Sequence, residues 1–124
     1  LIVCNKMRYD NVLRYYKSAD IYVGKLLMGY YNNAIIECLI MGVPCMCYIR
    51  PAFEFLVQDS PIINTTPETV YDHIKDFLQH RASYAHVGMR GPQFVDSYHN
   101  PDALMKHLVQ RYRQAWLRRG YRDC

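Results

Sequence analysis

The residue whose chemistry is hardest to account for by folding alone is Glu37. It stands in Ala34-Ile35-Ile36-Glu37-Cys38-Leu39-Ile40, where every neighbour is apolar. A carboxylate on a mostly buried helix is costly unless something pairs with it or it borders a ligand cleft. The loop before it, Gly24 to Asn33, holds Gly24 and Gly29, which allow close backbone approach. That loop leads into a helix start, where unsatisfied amides and the helix dipole favour anions. Loop and carboxylate together make the best ligand site in the chain. The plainer alternative is an acid satisfied by local amides near its helix start, and spacing leaves both open.

Other reactive side chains point less clearly to chemistry. The five cysteines (4, 38, 45, 47 and 124) are odd in number and sit mostly in apolar runs, which fits a reduced, cytoplasmic compartment better than a disulfide framework. Cys45 and Cys47 share a strand face but lack partner ligands nearby, so packing is expected rather than a metal. The histidines at 73, 80, 86, 99 and 107 lack ligand spacing, and no metal or cofactor site is expected. No dinucleotide fingerprint, Walker loop or Gly-x-Ser-x-Gly elbow occurs. Arg111, Arg113, Arg118, Arg119 and Arg122 crowd the tail, with Tyr112, Trp116 and Tyr121 interleaved. This run suits either a solvated helix end that complements the dipole or docking on anionic lipid, with nucleic acid a weaker option.

The elements that must position Glu37 alternate. Leu1-Ile2-Val3-Cys4 reads as a first strand, Asp10 as the cap of a helix from Asn11 to about Ser18, and Ile21-Tyr22-Val23 as a second strand. A helix follows from about Asn33 to Met41, closed by Gly42, with Pro44 forbidding continuation. Cys45 to Ile49 is apolar throughout, as expected of a strand covered on both faces. Ala52 to Val57 suits one or two helical turns, and Ile62-Ile63-Asn64 a brief fourth strand. Thr66-Pro67-Glu68 reads as a helix start, with Val70, Ile74, Phe77 and Leu78 as its stripe. The next helix, Arg81 to Tyr98, should break at Gly91-Pro92. Asn100-Pro101-Asp102 opens a last helix, whose buried stripe is expected to be Leu104, Leu108, Tyr112 and Ala115. Such alternation predicts an α/β fold: a Rossmann-like parallel sheet with helices on both faces and a helical C-terminal half, binding ligands beyond the carboxyl ends of its strands.

Composition sets the bounds. With 124 residues, 51% hydrophobic and 21% charged, one domain over 1–124 is expected. A net charge of +4 is too mild to argue for nucleic acid as a partner. The longest apolar stretch, Cys38 to Ile49, is too short to span a bilayer and is interrupted by Gly42 and Pro44. Opening on Leu1 within a strand-like run suggests a piece of a longer protein.

These residues carry a resemblance. Ala19-Asp20-Ile21-Tyr22-Val23, then a loop, then Ile36-Glu37-Cys38-Leu39-Ile40-Met41-Gly42-Val43-Pro44 resembles the signature of group 1 retaining glycosyltransferases of the GT-B fold. That family shows a short strand, a donor-binding loop, an acid-led helix ending in Gly-x-Pro, and a buried strand. Pro61-Ile62-Ile63, Thr66-Pro67-Glu68 and Tyr98-His99-Asn100-Pro101-Asp102 continue the pattern in order. Leu26-Leu27-Met28-Gly29-Tyr30-Tyr31 and Cys47-Tyr48-Ile49-Arg50 are similar to a bacterial subgroup.

The resemblance implies the C-terminal, donor-binding part of such an enzyme, with a nucleotide-sugar donor (a UDP- or GDP-sugar) as ligand. Glu37 would hold the ribose. The amides near Asn32, Asn33 and Ala34 would face the diphosphate or sugar, and Gly29, Tyr30 and Tyr31 would line the sugar pocket. Two departures stand out: the family's acid eight positions before Glu37 is Gly29, and its common glycine three residues later is Asn32. The nucleotide half of the site therefore carries over more directly than the sugar half, and no catalytic residue is assigned. The resemblance also implies phosphate-binding cations and an N-terminal acceptor domain outside this chain, so that the chain alone would be inactive. It further implies polysaccharide or lipid-linked glycan synthesis at the cytoplasmic membrane face, with peripheral membrane contact. Two other classes remain in view. One is a nonenzymatic interaction domain that kept the fold; the other is a phosphoacceptor receiver domain, whose acid cluster Cys4-Asn5-Lys6 and Gly24-Lys25 do not supply.

Overall fold

Cys45, Met46 and Cys47 form the central strand, and all are fully buried. Successive strand side chains point to opposite faces, so both faces of the sheet are covered there. This is the structural meaning of the unbroken apolar run, and it organises the rest of the chain.

The computed structural model describes residues 3–56 and 58–119. Its elements are α1 (Tyr9–Ser18), β1 (Tyr22–Val23), α2 (Asn33–Ile40), β2 (Cys45–Cys47), a 3-10 segment (Pro51–Leu56), β3 (Ile62–Asn64), α3 (Val70–Gln79), α4 (Arg81–Met89), α5 (Gly91–His99) and α6 (Pro101–Arg118). The strands form a parallel three-stranded sheet in the order β1-β2-β3, with Tyr22 beside Cys45 and Cys45 beside Ile62. The core lies where α2 meets β2 and α5: Ile35, Cys38 and Leu39 pack with Cys45, Cys47, Phe94 and Val95.

Local signals set the ends of α2. Asn32 caps its start, its Oδ1 accepting from the Ile35 amide at 3.3 Å. At the far end Gly42 adopts φ +76°, its amide donates to the Leu39 carbonyl, and the Val43 amide donates to the Cys38 carbonyl. These two bonds make a Schellman motif that stops the helix and turns the chain into β2. Asn100 caps α6 through Oδ1, which accepts from the amides of Asp102 and Ala103. The Gly91-Pro92 break separates α4 from α5, as the sequence predicts.

Several expectations need correction. Val3 and Cys4 are exposed and in no strand, so the described sheet has three strands rather than four; Leu1 and Ile2 lie outside the described residues. Arg8, not Asp10, precedes α1, and Asp10 sits within the helix. β2 ends at Cys47 rather than Ile49, although Ile49 remains buried. The helix predicted from Thr66 starts at Val70, after a turn closed by the Thr69 amide donating to the Thr66 carbonyl. Of its stripe only Phe77 is buried; Leu78 is 58% exposed. The largest departure is α6, which buries none of its residues, Leu104, Leu108, Tyr112 and Ala115 included. Helical periodicity records that a face is apolar but not which surface covers it.

Candidate functional site

The loop from Gly24 to Asn32 leaves the carboxyl end of β1 and delivers the chain to the first turn of α2. In a parallel α/β sheet this is where ligands bind. Gly24 starts the crossing: its amide donates to the Met46 carbonyl, and a Cβ there would lie only 2.8 Å from Ile35 Cδ1. The amides of Asn33 and Ala34 have no intrahelical acceptors, as for any helix start.

Glu37 lies one turn further along α2 and is half-buried. Its Oε1 accepts a 2.7 Å hydrogen bond from the Tyr9 hydroxyl at the start of α1, twenty-eight residues away. Glu37 is therefore satisfied by a side chain of α1 rather than by amides of its own helix start. The bond to the Glu37 carboxylate holds the Tyr9 phenol above its usual pKa. The hydroxyl thus stays protonated and serves as a fixed donor, leaving the carboxylate as an acceptor beside two helix starts.

Tyr30 and Tyr31 stack at 4.4 Å, Tyr30 meets Phe53 edge-on at 5.3 Å, and Tyr31 packs against Phe94 and His99. The Tyr31 hydroxyl also hydrogen-bonds His99 Nε2 at 2.7 Å, linking the loop to the end of α5. Burial pushes the Tyr31 phenol up and the His99 imidazole down. Tyr31, predicted as a pocket lining, is thus mainly a buried anchor of the loop, and the more exposed Tyr30 is its solvent-side partner.

The His99 shift gives a pH dependence with a definite sign. Its folded pKa lies below the ordinary value of 6.5, so the unfolded chain takes up the proton first as pH falls. The contribution to stability is complete above about pH 6.5 and is lost as pH falls through the folded value. Urea denaturation at stepped pH is expected to show declining stability below pH 6.5, with the slope over that window reduced in His99→Gln. An unchanged slope would count against a half-buried, neutral His99.

Gly29 has φ +78°, and a Cβ there would collide with Nε of Arg50 and lie 3.0 Å from its Nη2. Arg50 lies along the loop: its amide donates to the Gly29 carbonyl and its Nη2 to the Met28 carbonyl, each at 3.0 Å. The Arg50 guanidinium therefore rests over Gly29, in the space a side chain at that position would take. Gly29→Ala is expected to cost roughly 1–2 kcal/mol from the left-handed backbone, with displacement of Arg50 adding to it. Equilibrium unfolding checks this, and parental stability in the variant would count against it.

Tyr9 as the partner of Glu37, and Arg50 and His99 as neighbours of the loop, are what sequence reasoning missed here. Arg50 alone had a local signal, as a cation directly after a buried strand. Reasoning from sequence also missed a cavity of about 470 Å³ beside the ends of β2 and β3, lined by Ile49, Glu54, Phe55 and Asn64 among others. Its polar wall has a structural use, because the Asn64 side chain both accepts from the Ile49 amide and donates to the Ile49 carbonyl.

Cys45 and Cys47 are core residues, both fully buried. The hydrogen bond with Cys38, together with burial, pushes the Cys45 thiol up; burial alone raises Cys47 to about 11. Both remain thiols near neutral pH and are poor nucleophiles. Among the described residues, no three His, Cys, Asp or Glu side chains are grouped to hold a metal.

Comparisons of the chain with protein-family models, curated proteins and solved structures return no match.

Proposed function

We propose that this chain supplies part of the donor site of a glycosyltransferase of the Rossmann-like, retaining GT-B type, binding a nucleotide-diphosphate sugar at the loop before α2. The supporting observation is the placement of Glu37: a half-buried carboxylate held by Tyr9, one turn beyond a capped helix start, at the carboxyl edge of a parallel sheet. A carboxylate acceptor suits a ribose diol, which presents two hydroxyl donors. The free amides of Asn33 and Ala34 suit the diphosphate, with Asn32 holding the turn that presents them. Gly29 and Tyr30 face the sugar side, where Arg50 rather than an acid stands.

Within this scheme the chain's residues act on the departing group. Glycosyl transfer breaks the anomeric C–O bond as an oxocarbenium-like transition state develops, and the nucleoside diphosphate leaves with the bonding electrons. Oriented amides at a helix start stabilise that growing negative charge without having to reorganise. The acceptor site and the remaining phosphate-binding cations are assigned to another part of the same protein, on the strength of the family resemblance alone.

Calorimetric titration with UDP and GDP, alongside saturation-transfer NMR, tests the proposal. One of the nucleotides is expected to bind, with ribose protons in contact with the protein. Absence of binding by both nucleotides, in the protein with its complete donor domain, would favour an interaction domain that retained only the architecture.

A further inference from the structure

We propose that α6 is a membrane-surface helix that seats its apolar stripe in an anionic bilayer. α6 runs from Pro101 to Arg118 and buries none of its residues. Its departure from α5 is set by Asn100, which caps α6 and whose Nδ2 donates to Asp96 Oδ1 at 2.9 Å. At about 100° of turn per residue, Leu104, Met105, Leu108, Val109, Tyr112 and Trp116 fall on one side of the helix. Each is between 42% and 66% exposed.

The charges identify the occupant. On the same helical wheel, Lys106 and Arg113 border one margin of the stripe, while Arg111 and Arg118 border the other. Gln110 and Gln114 lie opposite, with the exposed Leu117 beside them, and Asp102, the helix's one acid, sits in the first turn on the Lys106 and Arg113 margin. Cations along both margins of an apolar face can extend toward lipid phosphates while the face sinks between acyl chains. Trp and Tyr suit the boundary between headgroup and hydrocarbon. A second copy of α6 laid on the stripe would set cations against cations along both margins. No helix among the described residues is long and apolar enough to cross a membrane, so the contact is with the surface.

Trp116 is the only tryptophan in the chain and reports directly on the stripe. The intact protein is mixed with vesicles of phosphatidylglycerol and phosphatidylcholine, and with phosphatidylcholine alone as the control. Sedimentation with the anionic vesicles is expected, with a blue shift of Trp116 emission, and both should weaken as salt is raised. Arg111→Gln with Arg113→Gln, removing one cation from each margin, should lower partitioning about thirty-fold. Leu108→Asp should remove the emission shift, and the exposed position lets the variant fold. Equal binding to both vesicle types, or binding to neither, would overturn the proposal. So would a concentration-dependent emission shift without lipid, which would make a second copy the occupant. Strong hydrogen-exchange protection of α6 in the lipid-free full-length protein would overturn it too, because another part of that protein would then cover the stripe.

Discussion

Glu37→Ala is expected to weaken nucleotide binding about ten- to hundred-fold while leaving the fold close to its parental stability. The estimate follows from losing hydrogen bonds to a charged acceptor, worth about 1.5–3 kcal/mol. The fold should tolerate the change because Glu37 is half-buried, its partner Tyr9 is exposed, and alanine is the best helix former. Two further variants separate the roles. Glu37→Gln keeps the shape and removes the charge, and should fall between parent and alanine. Tyr9→Phe leaves the carboxylate in place but unoriented, for an expected loss of about two- to tenfold. Calorimetry on all three checks the order. Parental affinity in Glu37→Ala would remove the carboxylate from the site and the donor-binding proposal with it.

The opposite outcome, intact chemistry on a weakened fold, is expected of Leu39→Ala. Leu39 is fully buried where α2 meets β2 and α5, and truncation there should destabilise by about 2–5 kcal/mol. Against a total of roughly 5–15 kcal/mol for a typical domain, that is a large share. Its neighbour Ile40 provides the control. It is 54% exposed, so Ile40→Ala should change stability by less than about 0.5 kcal/mol. Urea denaturation of the pair measures both, and equal losses would mean that the α2 face assignment is wrong. The contrast also shows how close function and core lie, since Glu37, Leu39 and Ile40 fall within four consecutive residues yet meet a candidate ligand site, the core and solvent.

Periodicity on α2 and on α6 had different fates for a physical reason. On α2 the buried apolar positions Ile35, Cys38 and Leu39 face β2 and α5, while Ile40 is left to solvent. On α6 an equally regular stripe stays exposed, because a stripe specifies an affinity for apolar surroundings and not the identity of what supplies them. Pattern alone would count both as core. α3 lies between these cases, with Phe77 buried and Leu78 exposed on one turn.

The amino-acid order by itself determined what depends on a few neighbouring residues: the Asn100 start of α6, the Gly42 stop, the Gly91-Pro92 break and the buried run of β2. Each is set by bonds or steric limits spanning four or five positions, so each is legible without knowing the fold. The identity of Glu37 as an anomalous acid was legible in the same way. Only the tertiary structure decided what holds it, because Tyr9 lies twenty-eight residues away and no local pattern couples the two. The same is true of Tyr31 with His99, sixty-eight residues apart, and of Arg50 over Gly29. Such pairs depend on how helices dock on the sheet, a choice made by the packing of the whole core rather than by any one segment.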